Sequence, residues 1–172
     1  MTAPRSFPAF RTDPVNSLKI SWWSCAIGYV VILLGVPIAA AGLGELAAMF
    51  LRDTGVMHTA AGPALRYGES LLNLLSYSTV AAWTGAILSV PIVILARQHA
   101  FFGWAVAMLA GMGVGVVGLG VYMGIGPSEA LLAFGVPNAI LGLTFWATVR
   151  LIHPSAFADT SHSTNNPGSQ FR

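Results

Sequence analysis

Charge is what this sequence has least of. Only 8% of its 172 residues are Asp, Glu, Lys or Arg, against roughly 25% in an ordinary soluble domain. With 55% hydrophobic residues and a mean hydropathy of +0.72, too few polar side chains remain to cover a water-facing surface. Lipid is the expected solvent for most of the chain, folded as one compact unit. Cysteine occurs once, at Cys25. A lone thiol excludes an intramolecular disulfide, a CxxC redox pair and a cysteine-based zinc cluster, and with them the quinone-linked dithiol oxidoreductases. Cys25 reads as a small buried hydrophobe. Histidine is missing from every apolar core: His58, His99, His153 and His162 all fall in connections, helix ends or the tail. A membrane b-type haem needs histidine ligands inside the spans, so no haem is expected. His99 and His153, without carboxylates beside them, make a poor metal site. No Ser/His/Asp, HExxH or P-loop pattern occurs, and the scattered basic residues form no nucleic-acid patch. No catalytic, metal or cofactor-binding residue is assigned, and no cofactor is expected.

What is present is long uncharged sequence. Marking the charged side chains leaves four such stretches, 20–44, 70–96, 101–128 and 130–149, each as long as the roughly 20 residues a helix needs to cross a bilayer. None alternates as a strand does, and a helix satisfies its own backbone in lipid. The expectation is an all-α, polytopic membrane protein: an antiparallel four-transmembrane-helix bundle with spans at about 22–44, 70–96, 101–125 and 130–150 within a domain at 20–152. Residues 1–19 and 153–172, rich in Pro, Ser, Thr and Asn, read as mobile cytoplasmic tails. An Ala39-Ala40-Ala41 cleavage site is disfavoured by the long polar lead and the length of the apolar core.

Orientation follows from the connections. One side holds Arg5, Arg11, Lys19, Arg97, Arg150 and Arg172 against Asp13 and Asp159. The other holds Arg52 and Arg66 against Glu45, Asp53, Glu69 and Glu129. Basic flanks face the cytoplasm, which puts both termini inside and the protein in a plasma membrane, the inner membrane if the source is bacterial. Trp22, Trp23, Trp104 and Trp146 near the inner ends fit an interfacial belt. The stretch 52–69 reads as one sizeable outer loop, and the other two connections as tight turns.

Gly113, Gly115 and Gly118 spell G-x-G-x-x-G within GMGVGVVGLGVYMGIG. A dinucleotide fingerprint needs a strand before it and an acidic residue about 20 positions on. Neither is present, so no nucleotide partner is expected. On a helix, Gly111, Gly115 and Gly118 share one face, while Gly113, Gly120 and Gly124 share the opposite one. Such small-xxx-small faces let backbones approach closely in lipid. The expectation is that this helix has close neighbours on both sides. One candidate neighbour is the first helix, through Gly28, Gly35, Ala39 and Gly42; a partner subunit or a homo-oligomer is the other use of a stripe.

Polar side chains within lipid are expensive. Asn73, Ser76, Tyr77 and Thr84, below Glu69, form a candidate polar track on the second helix, with interhelical hydrogen bonding as the favoured use and a solute path as the alternative. Asn138 beside Pro137 raises the same question. Glu45 reads as interfacial. A small-Val-Pro tripeptide recurs at Pro37, Pro91 and Pro137, where each proline is expected to kink its helix. The functional expectation is a non-enzymatic accessory, assembly or protective subunit acting through helix packing. The alternative is a small-solute or lipid-handling transporter component.

Overall fold

Once a backbone is placed in a mostly apolar chain, its N–H and C=O groups must be paired locally, and helices do this. The computed structural model describes residues 10, 12, 17–54, 62–120 and 123–157, and these are all-helical with no strand among them. Helix α1 runs through Trp22–Val30, a π turn at Val31–Gly35, and Val36–Thr54. Helix α2 is Gly62–Ser76 and α3 is Ser78–Gln98. Helix α4 is Trp104–Gly113 continued by wide turns at Val114–Gly120. Helix α5 starts at Pro127–Ala130, passes a π turn at Leu131–Gly135 and continues as Val136–Ile152. A 3-10 turn, Pro154–Phe157, follows.

Two helices are long and apolar enough to cross a membrane: Trp22–Asp53, of 32 residues, and Pro127–Ile152, of 26. At about 1.5 Å per residue they reach roughly 48 and 39 Å, against a hydrocarbon core of about 30 Å. Shorter apolar stretches lie at Gly85–Gln98 and Trp104–Gly118.

The expected boundaries shift at the outer connection. Helix α1 does not stop at residue 44 but carries Glu45, Arg52 and Asp53 on exposed positions of its last turns. Much of the segment read as a loop is helix α2, which begins at Gly62 with Pro63 in its first turn, where the missing N–H costs nothing. The reason is general: a charged residue ends an apolar span without ending a helix. Helix α2 lays Leu71, Leu72 and buried Leu75 against the apolar cluster and packs along the outer half of α1. At Tyr77 the helix breaks, and α3 starts at the next residue.

The recurring tripeptide has two structural forms. In α1, the Val36 N–H bonds to the Val31 carbonyl, five residues back. In α5, the Val136 N–H bonds to the Leu131 carbonyl in the same way. Each π turn ends immediately before the Val-Pro pair, at Gly35 and Gly135. A proline ring collides with the carbonyl four residues earlier and supplies no N–H, and widening the preceding turn relieves that collision. Pro91 instead sits inside α3 with no such turn. The third wide segment, Val114–Gly120, contains no proline.

The closest helix contact joins α4 and α5. A Cβ placed on Gly111 would meet the Asn138 carbonyl, one on Gly115 the Phe134 carbonyl, and one on Gly142 the Ala107 carbonyl. Each step of four along α4 is matched by a step of four back along α5, so the pair is antiparallel and backbone touches backbone. The neighbour of this stripe is α5, not the first helix that was the candidate. Gly118 turns to α3, where the Leu88 Cδ1 would lie 3.3 Å away. The opposite stripe does not pack as expected. Gly113 has nothing within 4 Å, and Gly124 has left the helix for a turn with φ of +65°. The surroundings of Gly120 lie outside the described side chains. On α1, Gly28 presses on the Phe145 ring, with its Cβ position 2.7 Å from Cδ2, whereas Gly35 meets only Val31 of its own helix and Gly42 meets nothing.

The two faces of α4 therefore separate in a substitution test. Gly111→Ala should destabilise the fold by about 1–3 kcal/mol, because the methyl has no room. Gly113→Ala should raise stability by roughly 0.5–1 kcal/mol, since only backbone freedom is lost. Unfolding in mixed detergent micelles measures both, and equal effects would contradict the assigned face.

Candidate functional site

A cavity lies between α3 and the helices that neighbour it. The cavity has a volume of about 90 Å³ and is bordered by α1, α3, α4 and α5. Its walls are mostly apolar, with Tyr29, Ser89 and Asn138 supplying the polar side chains. Tyr29 and Ser89 join α1 to α3 by a hydroxyl–hydroxyl bond of 2.8 Å. Ser89 Oγ donates its one proton to the Ala86 carbonyl at 2.8 Å, so Tyr29 is the donor between them. Asn138 Nδ2 donates to the Phe134 carbonyl one turn back, at 2.8 Å. Its Oδ1 faces α3, 3.6 Å from where a Cβ on Gly85 would sit. Glycine at position 111 is what lets the Asn138 backbone come so close, whereas the approach at Gly85 is ordinary van der Waals contact.

The expected polar track does not converge on this cavity. Asn73 is exposed on α2, with Oδ1 3.8 Å from the position of a Cβ on Gly44. Ser76 bonds back to the Asn73 carbonyl at 2.7 Å. Tyr77 is 77% exposed at the α2–α3 break, and Glu69 is half-buried. The side chain of Thr84 lies outside the described residues. Ser76 thus uses its hydroxyl within its own helix, and none of the four described members borders this cavity. Tyr29 and Ser89 were not singled out as a pair from the sequence. A signal was available: Tyr29 lies seven residues from Trp22, and Ser89 eight from Arg97, so both sit at about 10–12 Å from the same end of the bundle.

That end is closed by aromatic rings and by the chain segments flanking the helices. Trp146 Nε1 donates to the Phe102 carbonyl at 3.0 Å. Phe102 stands 6.3 Å from both Phe145 and Phe157, and Trp146 meets Phe157 edge-on at 5.8 Å. Helix α3 ends with Ala100 at φ of +58°, and the Phe101 N–H returns to the Ala96 carbonyl. This is the left-handed helix stop that glycine usually fills. The Ala100 carbonyl accepts from both the backbone N–H and the hydroxyl of Thr12, at 2.8 and 3.2 Å. Ser17 Oγ donates to the Arg97 carbonyl at 3.1 Å. Of the regions read as mobile tails, Thr12, Ser17, Ala156 and Phe157 are buried against the helices and Phe10 is joined to Gly103 through its carbonyl, while residues 1–9, 11, 13–16 and 158–172 lie outside the described residues. Apolar side chains such as Phe157, 3% exposed, explain the difference: composition averaged over a tail hides one anchoring residue.

Other chemistry is sparse. Cys25 is buried and unbridged. His99 is exposed and His153 half-buried. Among the described residues no three His, Cys, Asp or Glu side chains gather as a metal site would require. The Tyr29–Ser89 bond and the ring contact of Tyr29 with Phe145, 4.9 Å between centroids, can be weighed separately. Tyr29→Phe should cost only about 0.6 kcal/mol, the usual worth of one interhelical hydrogen bond. Tyr29→Ala should cost about 3 kcal/mol, because it also enlarges the cavity. Similar losses for both in micelle unfolding would mean that the hydroxyl, not the ring, carries the contact. No protein-family model, no curated protein and no solved structure matches this chain.

Proposed function

We propose that this protein is a four-span, multi-pass protein of the plasma membrane, with both termini cytoplasmic, and that it serves as an accessory or assembly subunit through helix packing rather than as an enzyme. The observation that carries the membrane part is the outward surface. Large apolar side chains are exposed on each long helix: Ile38 and Leu34 on α1, Ile87 and Leu95 on α3, Val117 and Leu109 on α4, and Leu132 and Leu151 on α5. Water would penalise such a surface, and hydrocarbon does not. Helix α3 has 21 residues and so reaches about 31 Å, which supports a span there as well. A phosphatase fused after Arg172 should be inactive and a fluorescent protein at the same site should fluoresce. An active phosphatase would reverse the orientation.

The accessory part draws support from the outward side of α1. Gly35, Ala39 and Gly42 recur there at helical spacing, all exposed, with no neighbouring helix over Gly35 or Gly42. Small residues left open to lipid are where another helix backbone approaches most closely. Affinity purification in mild detergent should recover a second membrane protein in fixed ratio. Gly42→Leu should release it while the variant itself stays folded, because the leucine meets only open space. Recovery of the chain alone, or unchanged co-purification of the variant, would sink this reading. The transporter alternative retains one observation, the cavity against α3, and predicts that Ser89→Ala, in the wall of that cavity, lowers uptake without loss of assembly.

A further inference from the structure

Helices α1 and α3 meet along a seam whose mouth is cationic. A groove of about 550 Å³ opens there, bordered by Lys19, Ser21, Trp22, Trp23 and Ala26 at the start of α1 and by Arg97 at the end of α3. Arg97 is held in place: its Nη2 donates to the Leu18 carbonyl at 3.2 Å, and its guanidinium lies 4.3 Å from the centre of the Trp22 ring. Its Nε is buried with no hydrogen-bond partner, and no carboxylate pairs with it among the described residues. A guanidinium fixed at a membrane boundary without a counter-charge is costly. The positive end of α1, which starts at the Ser21 cap, adds to the same field. Trp22 and Trp23 are exposed, as aromatic side chains at headgroup depth are. The chemistry that completes this groove is an anionic oxygen group.

The seam continues inward. Trp22, Ala26 and Tyr29 follow one face of α1, and Arg97, Val93 and Ser89 follow one face of α3, at helical spacing. They lead from the groove to the cavity, which Tyr29, Ser89 and Val93 help to line. The hydroxyls of Tyr29 and Ser89 are spent on each other and on Ala86, and Asn138 Nδ2 on Phe134. Buried water needs two to four polar partners, and this cavity offers few. An apolar chain suits it. We infer that one anionic phospholipid occupies the α1–α3 seam, with its phosphate at Arg97 and the end of one acyl chain reaching the cavity.

The inference rests on the chain being embedded in a membrane, and the test separates the two. The delipidated full-length protein in mild detergent is titrated with dioleoyl phosphatidylglycerol, with dioleoyl phosphatidylcholine and with inorganic phosphate, followed by native mass spectrometry and tryptophan fluorescence. One phosphatidylglycerol per chain should bind about tenfold more tightly than phosphatidylcholine, as expected for the cations at the groove. Added salt should weaken only the former. Arg97→Gln should lower phosphatidylglycerol to the affinity of phosphatidylcholine, and Arg97→Lys should retain the preference. If Arg97→Gln fails to fold, the wild-type lipid preference and its salt dependence decide. Equal wild-type affinity for the two lipids overturns the inference. So does an unchanged preference in a folded Arg97→Gln protein, or displacement of phosphatidylglycerol by inorganic phosphate, which would make the groove a site for a free anion. A chain that stays monodisperse in water without detergent would overturn the membrane reading itself, whereas equal lipid affinities leave that reading standing.

Discussion

The backbone contact between α4 and α5 is the constraint on which the rest of the structure depends. Gly111 and Gly115 of one helix and Gly142 of the other face main-chain carbonyls with no side chain between them. Such close approach gains dispersion contacts between the two backbones, a drive that acts on helices whatever the solvent. Once α4 and α5 are locked at that distance, their crowded ridge leaves Asn138 pointing across to α3. Helix α1 then packs its inner half on the other side of α5, through Gly28 and the Phe145 ring.

The wide turns belong to the same problem. Pro37 and Pro137 each follow a turn in which the hydrogen bond spans five residues instead of four. That geometry absorbs the proline ring without breaking the rod, so α1 and α5 keep their length. Gly135, at the end of one such turn, sits with the Leu131, Val116 and Met112 side chains at 3.0–3.3 Å from its Cβ position. Space for the turn and space for the neighbouring helix are thus set by the same small residue. Helix α3 carries Pro91 with no wide turn before it and forms one wall of the cavity.

The ends of the bundle differ in character. At the end where both described chain ends lie, aromatic rings, the Ala100 helix stop and the Thr12 and Ser17 bonds tie the connections to the helices. Arg97 and Arg150 each lie over a tryptophan ring, at 4.3 and 5.5 Å, an arrangement in which the ring face attracts the cation. At the other end, α2 covers the outer half of α1, and Tyr67 reaches across to the Leu132 carbonyl at 3.3 Å.

Some of this was legible in the residues alone. Uncharged stretches separated by charged ones dictate helices, because backbone groups in an apolar setting must be paired within the segment, and the all-helical structure follows. The glycine spacing at 111 and 115 marked a face for close approach, since helical geometry repeats whatever the neighbour is. Which helix that face meets was decided only by the tertiary structure. The choice of α5 over α1 depends on complementary steps at Phe134, Asn138 and Gly142, and spacing within one helix carries no information about those. The helix at Gly62–Ser76 was hidden for a related reason: its charged residues end an apolar stretch, not helical structure. The pairing of Tyr29 with Ser89 likewise came from how each helix is turned about its axis, and Asn73 and Tyr77 miss the cavity because α2 and the break after it do not border it. Sequence determines what each helix face is made of, and packing determines where each face points.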